Sequence, residues 1–395
     1  MSVKYRLALI AGIPLFFVLI YAGSIVGGAL ADFQNAKSAK TSVQKTKISS
    51  ELIGNLQRER GLSAGFLGSK GVKFRSELYS QRNVTDQAIV AFNSAFENDK
   101  SAAVGISRQN LATITSIRSD VDNLRIEVSK STGSYINIVN AQLALIGGKM
   151  SLLVEGGFGE TPSAFIGLLR AKEMAGLERA MGATGYAAGV FPAPIYRNFL
   201  QFRGAQIEAL SPVLQSMPER LSREADSLLR GSGAREVVKF RATADAAGPN
   251  AELQLGLGAD WWAASTSRID GLTEVETALG DLLVQHADAR IGSAFRGLIL
   301  TVLGVSACLV VTMSIAWNSA SAFIRVLGGL SDNLEEIGNK NFDFQVAGTL
   351  RKDEFGAIAR SLVDVRGRLK AGEAANIEAT YKGAGFNGAS VAMMI

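Results

Sequence analysis

Two long apolar stretches without a charge bracket this chain, and they constrain its fold more than any motif. Leu7–Ala31 runs 25 residues and Gly297–Trp317 runs 21 without a charged side chain. At about 1.5 Å per residue, helices of these lengths reach roughly 30–37 Å, enough to cross a hydrocarbon core of about 30 Å. Between them lie 265 residues with no comparable stretch. This layout predicts one large domain on one side of a membrane and both ends on the other. Two helices per chain cannot line a transport path, so the layout points to passage of information across a bilayer.

Lys4 and Arg6 precede the first stretch, and Arg325, Lys340, Arg351 and Lys352 follow the second. Basic residues near span ends stay cytoplasmic. Asp32 opens the intervening region, although Lys37 and Lys40 follow it. The expected order is a cytoplasmic N-terminus (1–6), a transmembrane helix (7–31), a periplasmic domain (32–296), a second transmembrane helix (297–317) and a cytoplasmic module (318–372). The beginning of a further module (373–395) closes the chain. The rival for the first stretch is a cleaved signal peptide, since Ala29-Leu30-Ala31 has a small-x-small pattern. The stretch is far longer than the ~7–15 residues of a signal h-region, so a retained helix is expected.

Residue usage excludes several functions. Cys308, inside the second stretch, is the only cysteine, so no disulfide framework forms within one chain. A domain of this size buries enough core without one. His286 is the only histidine, which excludes His-rich metal sites and Ser–His or Cys–His catalytic pairs. No catalytic residue, metal or cofactor is expected, and the chain is read as a non-enzyme. A net charge of +5 over 395 residues is too weak to suggest a nucleic-acid partner.

The intervening region carries apolar residues at helical spacing nearly throughout, and alternating strand patterns are essentially absent. Ile48, Leu52, Leu56, Ser63 and Leu67 share one helical face, with Ile53 beside them. Breaks are expected at Thr161-Pro162, where threonine caps and proline takes the first helical position. Others are expected at Phe191-Pro192-Ala193-Pro194, Ser211-Pro212, Met217-Pro218 and Gly248-Pro249-Asn250. Seven or eight helices in antiparallel bundles is the natural architecture.

Two stretches echo each other. Gln57-Arg58-Glu59-Arg60-Gly61-Leu62-Ser63-Ala64-Gly65-Phe66-Leu67 and Glu173-Met174-Ala175-Gly176-Leu177-Glu178-Arg179-Ala180-Met181-Gly182-Ala183 both hold Glu-Arg followed by a small residue, and both lead to an aromatic, Phe66 or Tyr186. At about 100° per residue, Arg60 lies on the buried stripe near Leu56, while Arg58 lies on the opposite face. Arg179 shares a face with Ala175, Gly176, Gly182, Ala183 and Tyr186, a surface suited to close helix approach. Within Trp261–Asp270, Arg268 falls on the stripe of Trp261, Leu272, Val275 and Leu279. An inward guanidinium needs an anion. An internal partner such as Glu59, Glu173 or Glu178 is one source; a small anion held between helices is the other. Arginine suits a planar oxyanion because its fork donates two parallel hydrogen bonds.

These motifs resemble the NIT domain, the nitrate- and nitrite-sensing module of bacterial receptors, over about residues 45–285. The resemblance implies paired all-helical bundles whose arginines bind nitrate or nitrite, with Arg60 and Arg179 as the best candidates and Arg58 and Arg268 next.

After the second stretch, Phe323, Leu327, Leu330, Leu334 and Ile337 step as a heptad, as do Phe355, Ile358, Leu362, Val365 and Leu369. The connector Asn339–Lys352 carries Phe342, Phe344 and Val346 at period two, and Asp353-Glu354-Phe355-Gly356 opens the second helix. An ordinary coiled-coil stub does not account for the patterned connector. This segment resembles a HAMP domain, which implies a parallel dimer closing a four-helix bundle; Val326 stands where such domains usually carry proline. The segment from Glu378 leads into the apolar run Ala389–Ile395 and is similar to the lead-in of a PAS-like module, so the chain is expected to be cut short before its output module.

The reading is an all-α, multi-pass, homodimeric receptor of the bacterial inner membrane. It senses a small anion in the periplasm, contacts membrane lipid and acts on a chemotaxis kinase and adaptor through the output module. The alternatives are the input half of a histidine kinase or nucleotide cyclase, and a membrane scaffold whose outer bundle binds a partner protein.

Overall fold

The computed structural model describes residues 3–217, 222–223, 225–227 and 230–392. Among these there is no strand, and the fold is all-α. The helices are α1 (Val3–Gly68), α2 (Arg75–Ala95), α3 (Ala102–Ala112), α4 (Ile114–Asp122), α5 (Val128–Glu155), α6 (Thr161–Ala188), α7 (Ala193–Ser216), α8 (Ser232–Ala247), α9 (Gly258–Gly338) and α10 (Glu354–Ala392).

Leu30–Gly297 form one compact unit. Segments of nine of the described helices enter it, more than the seven or eight expected. The difference is the pair α3 and α4, which break at Thr113 where no glycine or proline marks a boundary. Of the expected breaks, Phe191–Pro194 and Gly248–Asn250 are real, and the two linkers pair: Asn250 N–H donates to the Phe191 carbonyl and Leu253 N–H to that of Gly189. Two others need correction. Glu160, not Thr161, occupies the cap position of α6, with Pro162 in the first turn. The helix α7 runs through Pro212 to Ser216. A proline removes one intrahelical bond and strains the turn before it, and in the last turn of a helix packed on a core that cost is tolerated. Pro218, of the expected Met217-Pro218 break, lies outside the described residues, as do the last three residues of the Ala389–Ile395 run.

The unit has two apolar cores. The larger gathers Leu52, Leu56 and Phe66 of α1, Phe92 of α2, Tyr135 and Ile146 of α5, Phe165 and Leu168 of α6, and Leu272 and Leu279 of α9. The smaller gathers Tyr186, Phe191, Phe199, Val237, Ala244, Trp261 and Ala264. Three helices feed both. In α6 residues up to Ala175 enter the larger core and Tyr186 the smaller; in α7 Phe199 enters the smaller and Leu210 and Val213 the larger; in α9 Trp261 and Ala264 enter the smaller and Leu272 the larger. Each helix therefore crosses a layer between the cores, and the polar residues of that layer form the site described below.

Three helices are long and apolar enough to cross a membrane: α1, α5 and α9. They differ in what their apolar faces touch. The apolar window of α5 is 44% buried, whereas those of α1 and α9 are 6% and 0% buried. Side chains such as Phe17, Tyr21, Leu300 and Leu303 stand exposed there.

The chain outside Leu30–Gly297 forms a second unit. Leu330 and Ile337 of α9, Phe344 and Val346 of the connector, and Ala359, Leu362 and Val363 of α10 pack into a small cluster. The period-two connector is as expected: Phe342, Phe344 and Val346 turn inward while Asn341, Asp343 and Gln345 are exposed. Asp353 caps α10, accepting the Gly356 N–H at 3.0 Å. Arg351, then that backbone bond, hold the Asp353 carboxyl down to about 2. Residue 356 must be glycine here, since a Cβ would lie 2.1 Å from the Arg351 carbonyl oxygen. Leu334, Ile358, Val365 and Leu369 of the heptad seam remain exposed.

Candidate functional site

The helix α1 presents consecutive residues in different directions. Arg58 is exposed and reaches only Asn55, 3.4 Å away on its own helix. Arg60 is 5% exposed and forks onto Glu173 of α6, with Nη2 donating to Oε2 at 3.0 Å and Nη1 to Oε1; Gln57 also donates to that carboxylate at 2.8 Å. The helical reading of inward Arg60 and outward Arg58 is what the fold contains. The partner of Arg60 is an internal carboxylate.

The Glu-Arg echo is structural as well. Glu59 receives Arg118 of α4 through Nε at 2.7 Å and Nη2 at 2.9 Å. Glu178 receives Arg241 of α8 through Nε at 2.7 Å and Nη2 at 2.6 Å. Each glutamate has a further donor, Tyr135 for Glu59 and Gln206 for Glu178. Burial works against the charge of Arg118, but the hydrogen bonds and charges of Glu59 and Asp86 together more than offset it, so its proton is held above the usual arginine range. Burial, then the Glu59 charge, likewise raises the Tyr135 hydroxyl.

Of the three arginines expected to point inward, Arg179 and Arg268 lack such a partner. Arg179 donates through Nη1 to Thr266 Oγ1 at 2.9 Å and lies 4.3 Å above the Trp262 ring, and its Nε is buried without an acceptor. Arg268 donates through Nη1 to Gln206 Oε1. No carboxylate lies within ion-pair distance of either among the described residues. Burial pulls both guanidiniums down to about 10. The Arg60 charge adds to this at Arg179, opposed by Asp270; the Arg241 charge adds to it at Arg268, opposed by Glu178. Both remain charged at neutral pH.

The helices are shaped to bring these groups together. A Cβ on Gly182 would lie 2.2 Å from Trp261, so the small-residue face of α6 is where α9 seats its tryptophan. Trp261 Nε1 donates to the Arg179 carbonyl at 2.9 Å, which fixes the register. A Cβ on Gly176 would lie 3.2 Å from the Arg60 guanidinium, and one on Gly61 would lie 3.9 Å from the Trp262 ring. Arg60, Arg179 and Arg268 thus lie in one layer with Arg241, Glu173 and Glu178: four guanidiniums against two carboxylates. Buried charge in such imbalance is costly unless an anion completes it. Chemically, the layer can grip a small oxyanion by guanidinium forks.

Arg241, Gln206, Thr266 and Trp262 were not among the expected site residues. A signal for two of them was present. Gln206 lies on the apolar stripe Phe199, Phe202, Leu210 and Val213, and Arg241 on the stripe Ala234, Val237 and Ala244. A polar residue at a core position is informative in itself.

A more open concavity, about 420 Å³, lies elsewhere, between α2 and α4, lined by Arg82, Asp86, Arg118 and Asp122 among others.

A family model, a curated protein and a solved structure match this chain. The family model for nitrate and nitrite sensing, NIT, matches residues 51–284. A "Nitrate regulatory protein" of Klebsiella oxytoca is 25% identical over 250 residues, 61% of this chain and 62% of that protein, so the match leaves over a third of the relative's length unspanned. The solved structure of the NasR transcription antiterminator matches with a TM-score of 0.59 at 19% identity, covering 89% of this chain and 96% of that one, a likeness of fold. The chain belongs to the NIT family, and residues 51–284 are its nitrate- and nitrite-sensing domain.

Proposed function

We propose that this chain is the sensing and relay part of a homodimeric receptor of the bacterial inner membrane, and that it binds nitrate or nitrite in the layer of Arg60, Arg179 and Arg268. The observation that carries the reading is the pair Arg179 and Arg268, two largely buried guanidiniums with only neutral acceptors among the described residues. A planar oxyanion supplies the charge they lack. Arg58, exposed on the far face, is the weakest of the candidates. No catalytic role is proposed.

Membrane attachment rests on the bare apolar windows of α1 and α9, with residues 32–296 periplasmic and both ends cytoplasmic. A HAMP-like relay rests on the patterned connector, the Asp353–Gly356 cap and the exposed heptad seam, which a second copy would cover. In the first apolar stretch, Gly23 with Gly27 and Ser24 with Gly28 offer small faces for helix pairing. The helix α9 carries both Arg268 and Val326 without a break. An anion that binds one position of this helix better shifts the equilibrium by that difference in affinity. The output is chemotaxis through a kinase and adaptor. The second reading is a regulator of transcription, the setting named for the antiterminator relative; the two bare apolar helices favour the receptor.

Calorimetric titration of the full chain in detergent micelles tests the sensor: nitrate or nitrite gives saturable heat and chloride does not. Membrane fractionation separates the readings, since recovery of the chain in the soluble fraction would exclude the receptor. Single-cysteine crosslinking at Leu330 or Leu362 tests the dimer, and only monomer at both positions in membranes would exclude the relay.

A further inference from the structure

The arginine layer contains two acceptors whose chemistry is unusual for their positions. Gln206 is 0% exposed, and its Oε1 takes Nη1 of Arg268 and, at 3.3 Å, Nη2 of Arg241; its Nε2 donates to Glu178 at 2.6 Å. Thr266 Oγ1 takes Nη1 of Arg179 at 2.9 Å. Four other buried or half-buried guanidiniums of this unit face a carboxylate: Arg60 with Glu173, Arg82 with Asp122, Arg118 with Glu59 and Asp86, Arg241 with Glu178; half-buried Arg108 donates to a backbone carbonyl, that of Phe96 at 3.0 Å. A neutral oxygen orients a guanidinium without cancelling its charge, so the positive field survives in the low-dielectric layer.

We propose that Gln206 and Thr266 set the anion affinity of this site by being neutral, holding Arg268 and Arg179 in place while leaving their charge to an external oxyanion. The inference rests on the anion-sensing reading and adds to it the residues that keep the site open. Gln206→Glu is nearly isosteric and places a carboxylate on the same two arginines. It supplies from inside the charge that nitrate supplies from outside, so the two compete. Thr266→Asp does the same at Arg179.

The test uses the full chain in detergent micelles, with sodium nitrate as probe and thermal melting and calorimetry as readouts. Gln206→Glu and Thr266→Asp should each weaken nitrate binding by about tenfold or more, the scale expected for a charge introduced into a desolvated charge-pair site. Gln206→Met keeps the volume and the neutrality but removes the acceptor, so it loses the positioning of Arg268 without adding a competing charge, and should weaken nitrate binding clearly less than Gln206→Glu does. Equal losses in Gln206→Glu and Gln206→Met would overturn the proposal, because the role would then be hydrogen-bond geometry and not charge. If Gln206→Glu does not fold because its second oxygen meets Glu178, Thr266→Asp carries the test alone, and unchanged affinity there overturns the proposal. Absence of any nitrate response in the wild-type chain would instead refute the anion-sensing reading itself.

Discussion

Glu59 and Arg60 are neighbours on one helix, yet they belong to polar networks of opposite balance. Glu59 joins Arg82, Arg118, Asp86, Asp122 and Tyr135, where three carboxylates face two guanidiniums. Arg60 joins Glu173, Glu178, Arg179, Arg241 and Arg268, where two carboxylates face four. In the first network even Arg82, whose Nε and Nη2 lack acceptors, has its charge met by Asp122 at 2.8 Å. In the second, Arg179 and Arg268 do not. A buried arginine is therefore not a ligand site by virtue of being buried. The sign of the charge left over separates a structural network from a receptive one.

The largest expected effects test that contrast directly. Glu59→Ala leaves Arg118 its ion pair with Asp86 but removes the acceptor of its Nε and Nη2 and of the Tyr135 hydroxyl, and should cost about 1–3 kcal/mol, with no recovery on adding nitrate. Glu173→Ala strands Arg60 in a layer that accepts anions, so nitrate should raise its melting temperature more than that of wild type. At a hundredfold excess over Kd such linkage is worth about 2.7 kcal/mol. Equal nitrate responses in the two variants would erase the distinction between the networks.

Removing arginines sharpens it. Arg118→Ala should destabilise by about 3–5 kcal/mol, because it leaves the buried Glu59 carboxylate with only the Tyr135 hydroxyl and Arg82, 3.8 Å away. Arg179→Ala and Arg268→Ala should each abolish the nitrate-induced shift in melting temperature while changing the stability of the unliganded protein by under about 1 kcal/mol, since each removes a charge that had no counter-charge. Arg60→Ala combines both outcomes: it strands Glu173 and loses binding.

The pH dependence is smaller. Burial pulls Arg179 and Arg268 down to about 10, below their unfolded values. The unfolded chain holds these protons to higher pH, so their contribution to stability rises as pH climbs through about 10. Anion binding needs the protonated forms and falls over the same range. Nitrate affinity should thus be flat from about pH 6 to about pH 9 and then decline, while these groups alone make the unliganded fold more stable. An affinity that changed through neutral pH would implicate another group. Smallest of all, Arg58→Ala should alter stability by less than about 0.5 kcal/mol and leave binding intact, as expected for an exposed side chain.

What the sequence determined by itself is what one helix can decide alone. Periodicity marked the helices, the inward turn of Arg60, the outward turn of Arg58, the placement of Arg268 near the Trp261 stripe, and the alternating connector before Asp353. It also marked the small-residue face of α6 that Trp261 occupies. The NIT motifs were legible because their residues lie consecutively on α1 and α6. Tertiary structure decided the partners. The choice of Glu173 for Arg60 spans 113 positions, and that of Thr266 for Arg179 spans 87. Helical phase gives the direction in which a side chain leaves its own axis, but not which helix it meets. Gln206 and Arg241 showed only as polar residues on apolar stripes, and their roles became visible once α7 and α8 were packed beside α6 and α9. The charge imbalance of the layer is a sum over four helices, so it exists only in the folded molecule.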